Sequence, residues 1–540
     1  MSRRDLNPAG LSNGDEAARS GILDGCYNLG VACSDALAVS IPDRPALIHE
    51  RGDRTEVVTF AELATRSSQL AARIVEVGVE PGDRVGVFAS AGNETAIAHI
   101  AAMKAGAVTV PLVPLLGDDA IAYRLHDADV ACVLVSAAES DRLASILATA
   151  DRERTVVELG ATAGDAAEGH SFRPHLTRAS DAAMIIYSSG TTGKPKGALE
   201  PHAISLGRHA PMSMIHGPFV PGDVFWTPVD WMWIGSFVDS LLTPLTYGCT
   251  VLAYDRRRFD GVEAVRRLKA FGVTKAFIPP TALRMLMDVP DSEWTGHSLT
   301  SVHSGGETLT SEAFEWADAT LGITVDEIYG MTEASFVAGN AHRYYAPVLG
   351  SLGRPYPGQE IVLRTEDGEV AAPGEPGEMT IGPSSPSLFR GYFGKPEATA
   401  ERFTDGWFAT GDLATADEQG YLFYVGRRDD LIMSAGHRLG PGEIEDALRR
   451  HASVRAAVVV GAPDPERGQV VKAVVQLVAG AQGDRSLDEL TKELQDLVRV
   501  GVGRHAYPRE VEYIDDFPRT VTGKVRRDVL RLPAHARGET

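Results

Sequence analysis

Apolar residues between Phe60 and Val77 recur three and four apart, which predicts a helix with one buried face. Arg84-Val-Gly-Val-Phe88 then reads as a short strand, and Glu94 to Lys104 returns to helical spacing. Ala107-Val-Thr-Val-Pro-Leu112 and Ala131-Cys-Val-Leu-Val135 are apolar runs of strand length. Similar runs follow at Met184-Ile-Ile186, Val251-Leu-Ala253, Lys275-Ala-Phe-Ile278 and Ser301-Val-His-Ser304. This alternation of strands and helices predicts an α/β layered domain.

The texture changes twice further on. After about Gly350, short strands and turns such as Pro373-Gly-Glu-Pro-Gly-Glu378 predict a small β-rich subdomain. Beyond Arg428, Pro441 to His451 and Leu487 to Val500 read as helices, and Ala456-Ala-Val-Val-Val460 and Val470 to Val478 as strands. That stretch forms an α+β unit of about 110 residues. The expected organisation is a polar tail over 1–26, a large domain over 27–428 with its β-rich part from about 350, and a small domain over 429–540. No internal repeat or low-complexity tract interrupts it.

Bulk properties narrow the picture only a little. A chain of 540 residues exceeds a single compact core, so several domains are expected. A hydrophobic share of 44% and a charged share of 23% are ordinary for a globular protein. The formal charge of −21 argues against a general nucleic-acid or anionic-membrane surface, yet leaves room for local anion sites. Cys26, Cys33, Cys132 and Cys249 have neither metal-ligand spacing nor the pattern of a disulfide framework, so a reducing cytoplasm is expected. Met1 to Ser20 is polar and reads as a frayed tail, not a signal peptide or anchor. No run of eighteen apolar residues predicts a membrane span.

The chemistry concentrates in a few segments. Tyr187-Ser-Ser-Gly-Thr-Thr-Gly-Lys-Pro-Lys-Gly197 offers hydroxyls at Ser188, Ser189, Thr191 and Thr192. Gly190, Gly193 and Gly197 let backbone amides approach an anion, and Lys194 and Lys196 add positive charge. Such a loop suits a polyphosphate. It is not an ordinary P-loop, because Ser188 stands five residues before Gly193 and Pro195 follows Lys194. Further segments are Ser304-Gly-Gly-Glu307, Glu327-Ile-Tyr-Gly-Met-Thr-Glu333, Thr410-Gly-Asp-Leu413 and Gly426-Arg-Arg-Asp-Asp-Leu-Ile432. Ser434-Ala-Gly-His-Arg-Leu-Gly-Pro-Gly-Glu-Ile-Glu445 and Pro518-Arg-Thr-Val-Thr-Gly-Lys-Val-Arg-Arg-Asp528 complete the series. Each alone has a plain reading: a turn, a solvated carboxylate, a charge cluster, a helix start or a surface lysine.

In this order, the segments from Tyr187 to Asp528 resemble those of the adenylate-forming superfamily, with a looser likeness back to about Tyr27. That superfamily holds acyl-CoA synthetases, firefly-type luciferases and the adenylation domains of peptide synthetases. The resemblance implies a large multi-subdomain α/β domain with a β-rich subdomain, then a small mobile α+β domain. It also implies roles. Ser188, Ser189, Gly190, Thr191, Thr192 and Lys194 would hold the triphosphate. Gly305, Gly306, Glu307 and Tyr329 would line the adenine site, and Asp412 and Arg427 would hold ribose and nucleotide. Thr332 would touch the α-phosphate, Glu333 would bind Mg²⁺, and Asp429 would be the hinge of the small domain. Gly436 and His437 would border the passage for the pantetheine arm of CoA, and Arg438 would meet phosphate. Lys524 would bridge the substrate carboxylate and the α-phosphate, as a flexible point charge can.

Within the superfamily the chain is most similar to short- and medium-chain acyl-CoA synthetases, on the strength of Ser434 to Pro441, Pro463 to Ala473 and the Lys524 segment. Acetyl-CoA synthetases carry a Trp where this chain has Gly330, so an acid larger than acetate is expected. Asp230, Trp231, Met232 and Trp233, with Gly330 and Met331, would form an apolar acyl pocket for a medium-chain, aromatic or polycyclic acid. Plain core packing of the tryptophans is an equal alternative. ATP, Mg²⁺ and CoA are implied, with an acyl-carrier protein as alternative acceptor and a homodimer as a further partner. A catalytically inactive nucleotide-binding protein would be expected to have lost Lys524 or Glu333, and both are present.

Overall fold

The computed structural model describes residues 22–532 apart from 24–25, 53, 151, 161–171, 189–193, 256–258, 308, 435–436, 465–467, 481–485 and 520–524. Most of the expected tail therefore lies outside the described residues, and Ile22–Leu23 pairs antiparallel with Cys26–Tyr27. The chain forms two compact units. The first comprises 1–188, 196–360 and 383–401; the second is chiefly 361–382 and 402–540.

Two largely parallel sheets organise the first unit. One has six strands in the order Lys196–Pro201, Ala182–Ser188, Val108–Leu112, Arg84–Phe88, Val130–Ser136 and Thr155–Leu159. Only the Lys196–Pro201 edge is antiparallel to its neighbour. The other has nine strands, with Val325–Met331, Ser301–Gly305, Lys275–Phe277, Val224–Trp226, Thr250–Ala253 and Pro45–Arg51 running parallel across its middle. Antiparallel strands close both of its edges.

The helices follow from their sequences. Phe60–Glu76 starts at a capping box between Thr59 and Glu62 and buries Phe60, Leu63, Ser67, Ala71 and Ile74, one face at helical spacing. Asn93–Lys104 is instead buried all round. Its Ile97 and Ile100 join one core with Leu63 and Ile186, while Ala98, Ala101 and Ala102 join another with Ile74 and Val85. A helix clothed on every side can carry few charges, and its Lys104 is held by Asp35 at 2.6 Å.

Antiparallel strands dominate the second unit. Ile361–Arg364, Gly377–Ile381, Trp407–Ala416, Phe403–Thr404 and Leu422–Arg427 form one sheet. His437–Leu439, Ile432–Ser434, Gly468–Leu477, Val454–Asp464 and Glu510–Tyr513 form another. Helices Pro441–Arg449 and Leu487–Gly501 pack on the latter through Ile444, Leu448, Leu490, Leu494 and Val498. The texture change near Arg428 falls inside this unit, on the turn Arg428–Asp430 between Leu422–Arg427 and Ile432–Ser434.

Candidate active site

Strands Ala182–Ser188 and Lys196–Pro201 pair so that Ser188 faces Lys196, which brings the two ends of the glycine- and hydroxyl-rich segment together. Ser188 donates its hydroxyl to the Lys196 carbonyl at 3.4 Å. Lys194 is exposed. Ser189, Gly190, Thr191 and Thr192 lie outside the described residues.

Parallel strands Ser301–Gly305 and Val325–Met331 end side by side. A Cβ on Gly305 would sit 2.7 Å from the side chain and carbonyl of Ile328, so only glycine fits there. Gly306, at φ +90°, needs the left-handed freedom of glycine. Glu307 accepts from Thr281 at 2.8 Å and from Arg284 at 3.2 Å, which ties it to the helix Pro280–Met287. Tyr329 is buried on the neighbouring strand.

Beyond a bulge between Tyr329 and Met331 the chain turns back as Ala334–Gly339. Thr332 and Glu333 occupy that turn. Glu333 is buried, its Oε1 accepts from the Tyr392 hydroxyl at 2.7 Å, and its carbonyl accepts from the Phe389 amide at 2.9 Å. Gly330 has a backbone reason of its own. A Cβ there would lie 2.6 Å from the Phe336 amide nitrogen and 2.9 Å from Ser335 Cα. Phe336 itself has φ +56°, uncommon for a non-glycine residue. The hairpin demands a glycine at 330 whatever acid is bound.

The aromatic segment divides. Trp231 joins the core that contains Ile97 and Phe237, and Met232 joins the one that contains Phe88 and Ile185. Trp233 and Met331 are half-buried. Burial next to Asp255 pushes the Asp230 carboxyl up to about 6.

In the second unit Asp412 and Arg427 face each other across adjacent strands, with 3.2 Å between Nη1 and Oδ1. Arg427 also reaches Asp429 at 3.3 Å. Arg531 donates to the Asp429 carbonyl at 2.9 Å and to Asp430 at 2.7 Å. Asp429 thus sits on a turn clasped from both sides. Gly436 and Lys524 lie outside the described residues. His437 and Arg438 lie on the strand His437–Leu439.

Several neighbours were invisible to sequence reasoning. Tyr187 donates to Asp127 at 2.9 Å, and Lys395 pairs with the same carboxylate. Arg208 and Asp239 form a fully buried pair at 2.8 Å. Glu200, also fully buried, has no hydrogen-bond partner among the described residues for either oxygen. Desolvation, with Glu333 and Asp239 nearby, pushes its carboxyl well above the usual range although Arg208 opposes this. Lys492, Arg499, Arg504 and Arg509 gather with Tyr507 around a depression of about 620 Å³ in the second unit. Apart from the stretch from Lys492 to Arg509, these partners are far apart in the sequence, so no local pattern announced them.

The model of the AMP-binding enzyme family matches residues 36–393, and that of the AMP-binding enzyme C-terminal domain matches 443–524. The chain belongs to the AMP-binding enzyme family. Among its relatives, an uncharacterized acyl–CoA ligase, YtcI, of Bacillus subtilis is 30% identical over 90% of this chain and 92% of its own length. The mitochondrial acyl-coenzyme A synthetase ACSM3 of Rattus norvegicus is 32% identical over 88% and 83%. Among solved structures, o-succinylbenzoate CoA synthetase (MenE) of Bacillus subtilis, in complex with the acyl-adenylate intermediate OSB-AMP, superposes with a TM-score of 0.80. It is 26% identical and covers 94% of this AMP-binding enzyme and 98% of its own chain. No described helix of the enzyme is long and apolar enough to cross a membrane.

Proposed function

We propose that this AMP-forming acyl-CoA synthetase, an acid–thiol ligase, activates a carboxylic acid larger than acetate with ATP and passes the acyl group to CoA. The reading is carried by the two family matches, which take in the phosphate loop, the Ser304–Glu307 and Glu327–Glu333 segments, and Lys524. In the first step the carboxylate attacks the α-phosphorus of ATP, and acyl-AMP and pyrophosphate form. In the second the CoA thiol attacks the mixed anhydride and AMP leaves.

Mg²⁺ suits the Glu333 turn. The carboxylate is fixed through one oxygen by Tyr392, while among the described residues no cluster of three or more potential ligands surrounds it. A cation there would take its remaining ligands from phosphate and water. When bound it would neutralise phosphate charge that otherwise repels the attacking carboxylate. Thr332, Arg438 and Lys524 screen the charge that develops on the α-phosphate. Asp412 and Arg427 hold the ribose side.

The small domain over 429–540 pivots at Asp429 between the two steps, withdrawing Lys524 and bringing the Gly436 loop to the thiol. Lys524→Ala should then abolish acyl-AMP formation and spare thioester formation from supplied acyl-AMP. Equal loss in both half-reactions would sink the pivot. The acid is medium-chain, aromatic or polycyclic, received between Asp230–Trp233 and Gly330–Met331.

Pyrophosphate release over acids from acetate through octanoate and benzoate to polycyclic acids, with and without CoA, tests the whole reading. Release driven by a larger acid and accelerated by CoA supports it. Release driven by acetate alone refutes the substrate size. Release indifferent to CoA makes a carrier protein the acceptor.

A further inference from the structure

The residues that flank Lys524 are pinned to one another. Arg519 and Val525 form an antiparallel bridge, and the Arg526 amide donates to the Pro518 carbonyl at 2.8 Å. Val525 packs against a small core that contains Val458, Val474, Phe517 and Leu530. Three residues after Lys524, Arg527 opens the short helix Arg527–Arg531. Its half-buried guanidinium meets three partners. Nη1 lies 2.7 Å from Glu445 Oε1 and donates to the Val459 carbonyl at 2.7 Å, while Nε lies 3.8 Å from Asp430 Oδ2. Glu445 closes the ring, because its Oε1 also accepts from the Val459 amide at 2.8 Å.

These partners come from the parts that the proposed two-step cycle has to move together. Asp430 follows the pivot residue Asp429. Arg531, one turn along the helix from Arg527, donates to the Asp429 carbonyl at 2.9 Å and to Asp430 at 2.7 Å. Glu445 stands on the helix Pro441–Arg449, and Val459 on the strand Val454–Asp464. One guanidinium thus joins the root of the Lys524 segment to the pivot turn, to that helix and to the sheet. A planar, charge-assisted fork fixes direction as well as distance, which a point charge does not. The Gly436 segment is anchored without it. Its flanks Ser434 and His437 face each other across a strand pair, and Ser434 also faces Gly468.

We infer that Arg527 is a positioning residue for the acyl-AMP step, holding the Lys524 segment in register with the pivot turn. Rotation at Asp429 then delivers and withdraws the lysine as part of one rigid piece. The inference rests on the roles proposed above for Lys524 and Asp429. Without the guanidinium, Glu445 and the Val459 amide keep their own bond, so the small domain stays closed. The Lys524 segment, however, loses the contact that sets its direction. A displacement of about 1 Å at a reacting group costs about 100-fold in rate. The thioester step, from which Lys524 is withdrawn, is spared.

The two half-reactions, measured separately on the full chain with ATP, Mg²⁺ and the acid of the panel above that drives pyrophosphate release fastest, test this. Arg527→Ala should slow acyl-AMP formation about 10–100-fold, in kcat with little change in the KM for ATP. Thioester formation from supplied acyl-AMP should change less than about threefold. Arg527→Lys keeps the charge without the fork and should recover part of the loss. Glu445→Gln loosens the same guanidinium from its other side. It should give the same split in smaller measure, and it carries the test should Arg527→Ala fail to fold. Equal losses in both half-reactions, a loss confined to thioester formation, or no split in Glu445→Gln would overturn the inference. If Lys524→Ala itself does not separate the half-reactions, the pivot reading falls and takes this inference with it. If Lys524→Ala separates them and Arg527→Ala does not, the inference alone falls.

Discussion

Arg208 with Asp239 in the first unit, and Arg427 to Asp430 in the second, are charge clusters that differ in how far they are closed off. The first pair is fully buried, and each partner makes a further hydrogen bond, although Nη2 of Arg208 finds none among the described residues. Arg208 donates to Ser387 at 2.7 Å, and Asp239 accepts from Ser335 at 3.0 Å. Ser335 lies two residues after Glu333, so the pair braces the turn expected to hold Mg²⁺. In the second cluster Arg428 reaches Glu378 at 2.9 Å but is 65% exposed, and Asp429 meets Arg427 and Arg531 through partly solvated contacts. A desolvated pair is expensive to break, whereas exposed pairs open and re-form at little cost. Charge placed in the interior fixes the turn proposed to hold Mg²⁺, and charge left in water suits the backbone proposed to pivot.

The comparison can be broken most directly at Arg208. Arg208→Ala should lower stability by about 3–5 kcal/mol, because Asp239 is left buried without compensation. Denaturant unfolding reads this, and replacing both partners with apolar residues should recover most of the loss. No loss from the single change would mean that the pair braces nothing.

A lone buried carboxyl extends the contrast. Glu327, held by the Leu309 amide at 3.0 Å, is pushed by burial up to about 7. Its folded value is raised, so its contribution to stability is complete below about 4.5 and is lost as pH rises through about 7. Relative to Glu327→Gln, the wild type should lose roughly 2–3 kcal/mol across that window. Parallel pH profiles of unfolding for the two proteins would refute this.

A smaller effect is expected at Tyr392. Tyr392→Phe frees the Glu333 carboxylate, and the Mg²⁺ concentration for half-maximal pyrophosphate release should rise about tenfold. An unchanged requirement would place the cation elsewhere. Smallest of all, Arg428→Ala should change stability by less than about 1 kcal/mol while altering the ratio of the two half-reaction rates. A large stability loss with an unchanged ratio would erase the distinction between the clusters.

Contiguous features were legible in the sequence. The helix Phe60–Glu76 and strand Arg84–Phe88 came from local periodicity, and the family from motifs whose chemistry needs neighbouring residues. Trp231, Met232 and Trp233 show the limit. Their composition suited an acyl pocket, yet the fold sends Trp231 and Met232 into two different cores. Gly330 shows it too, since the sequence offered room for an acid and the structure adds a backbone at 2.6 Å.

By itself, then, the sequence determined the α/β organisation, the family and the order of its motifs, because periodicity and short motifs are written within a turn or a loop. Tertiary structure alone decided which distant side chains meet: Tyr392 with Glu333, Arg208 with Asp239, and His216 with His303. Partners 59, 31 and 87 residues apart leave no local signature. Their pairing is selected by the burial that makes an unpaired polar group costly, and burial exists only once the sheets have packed.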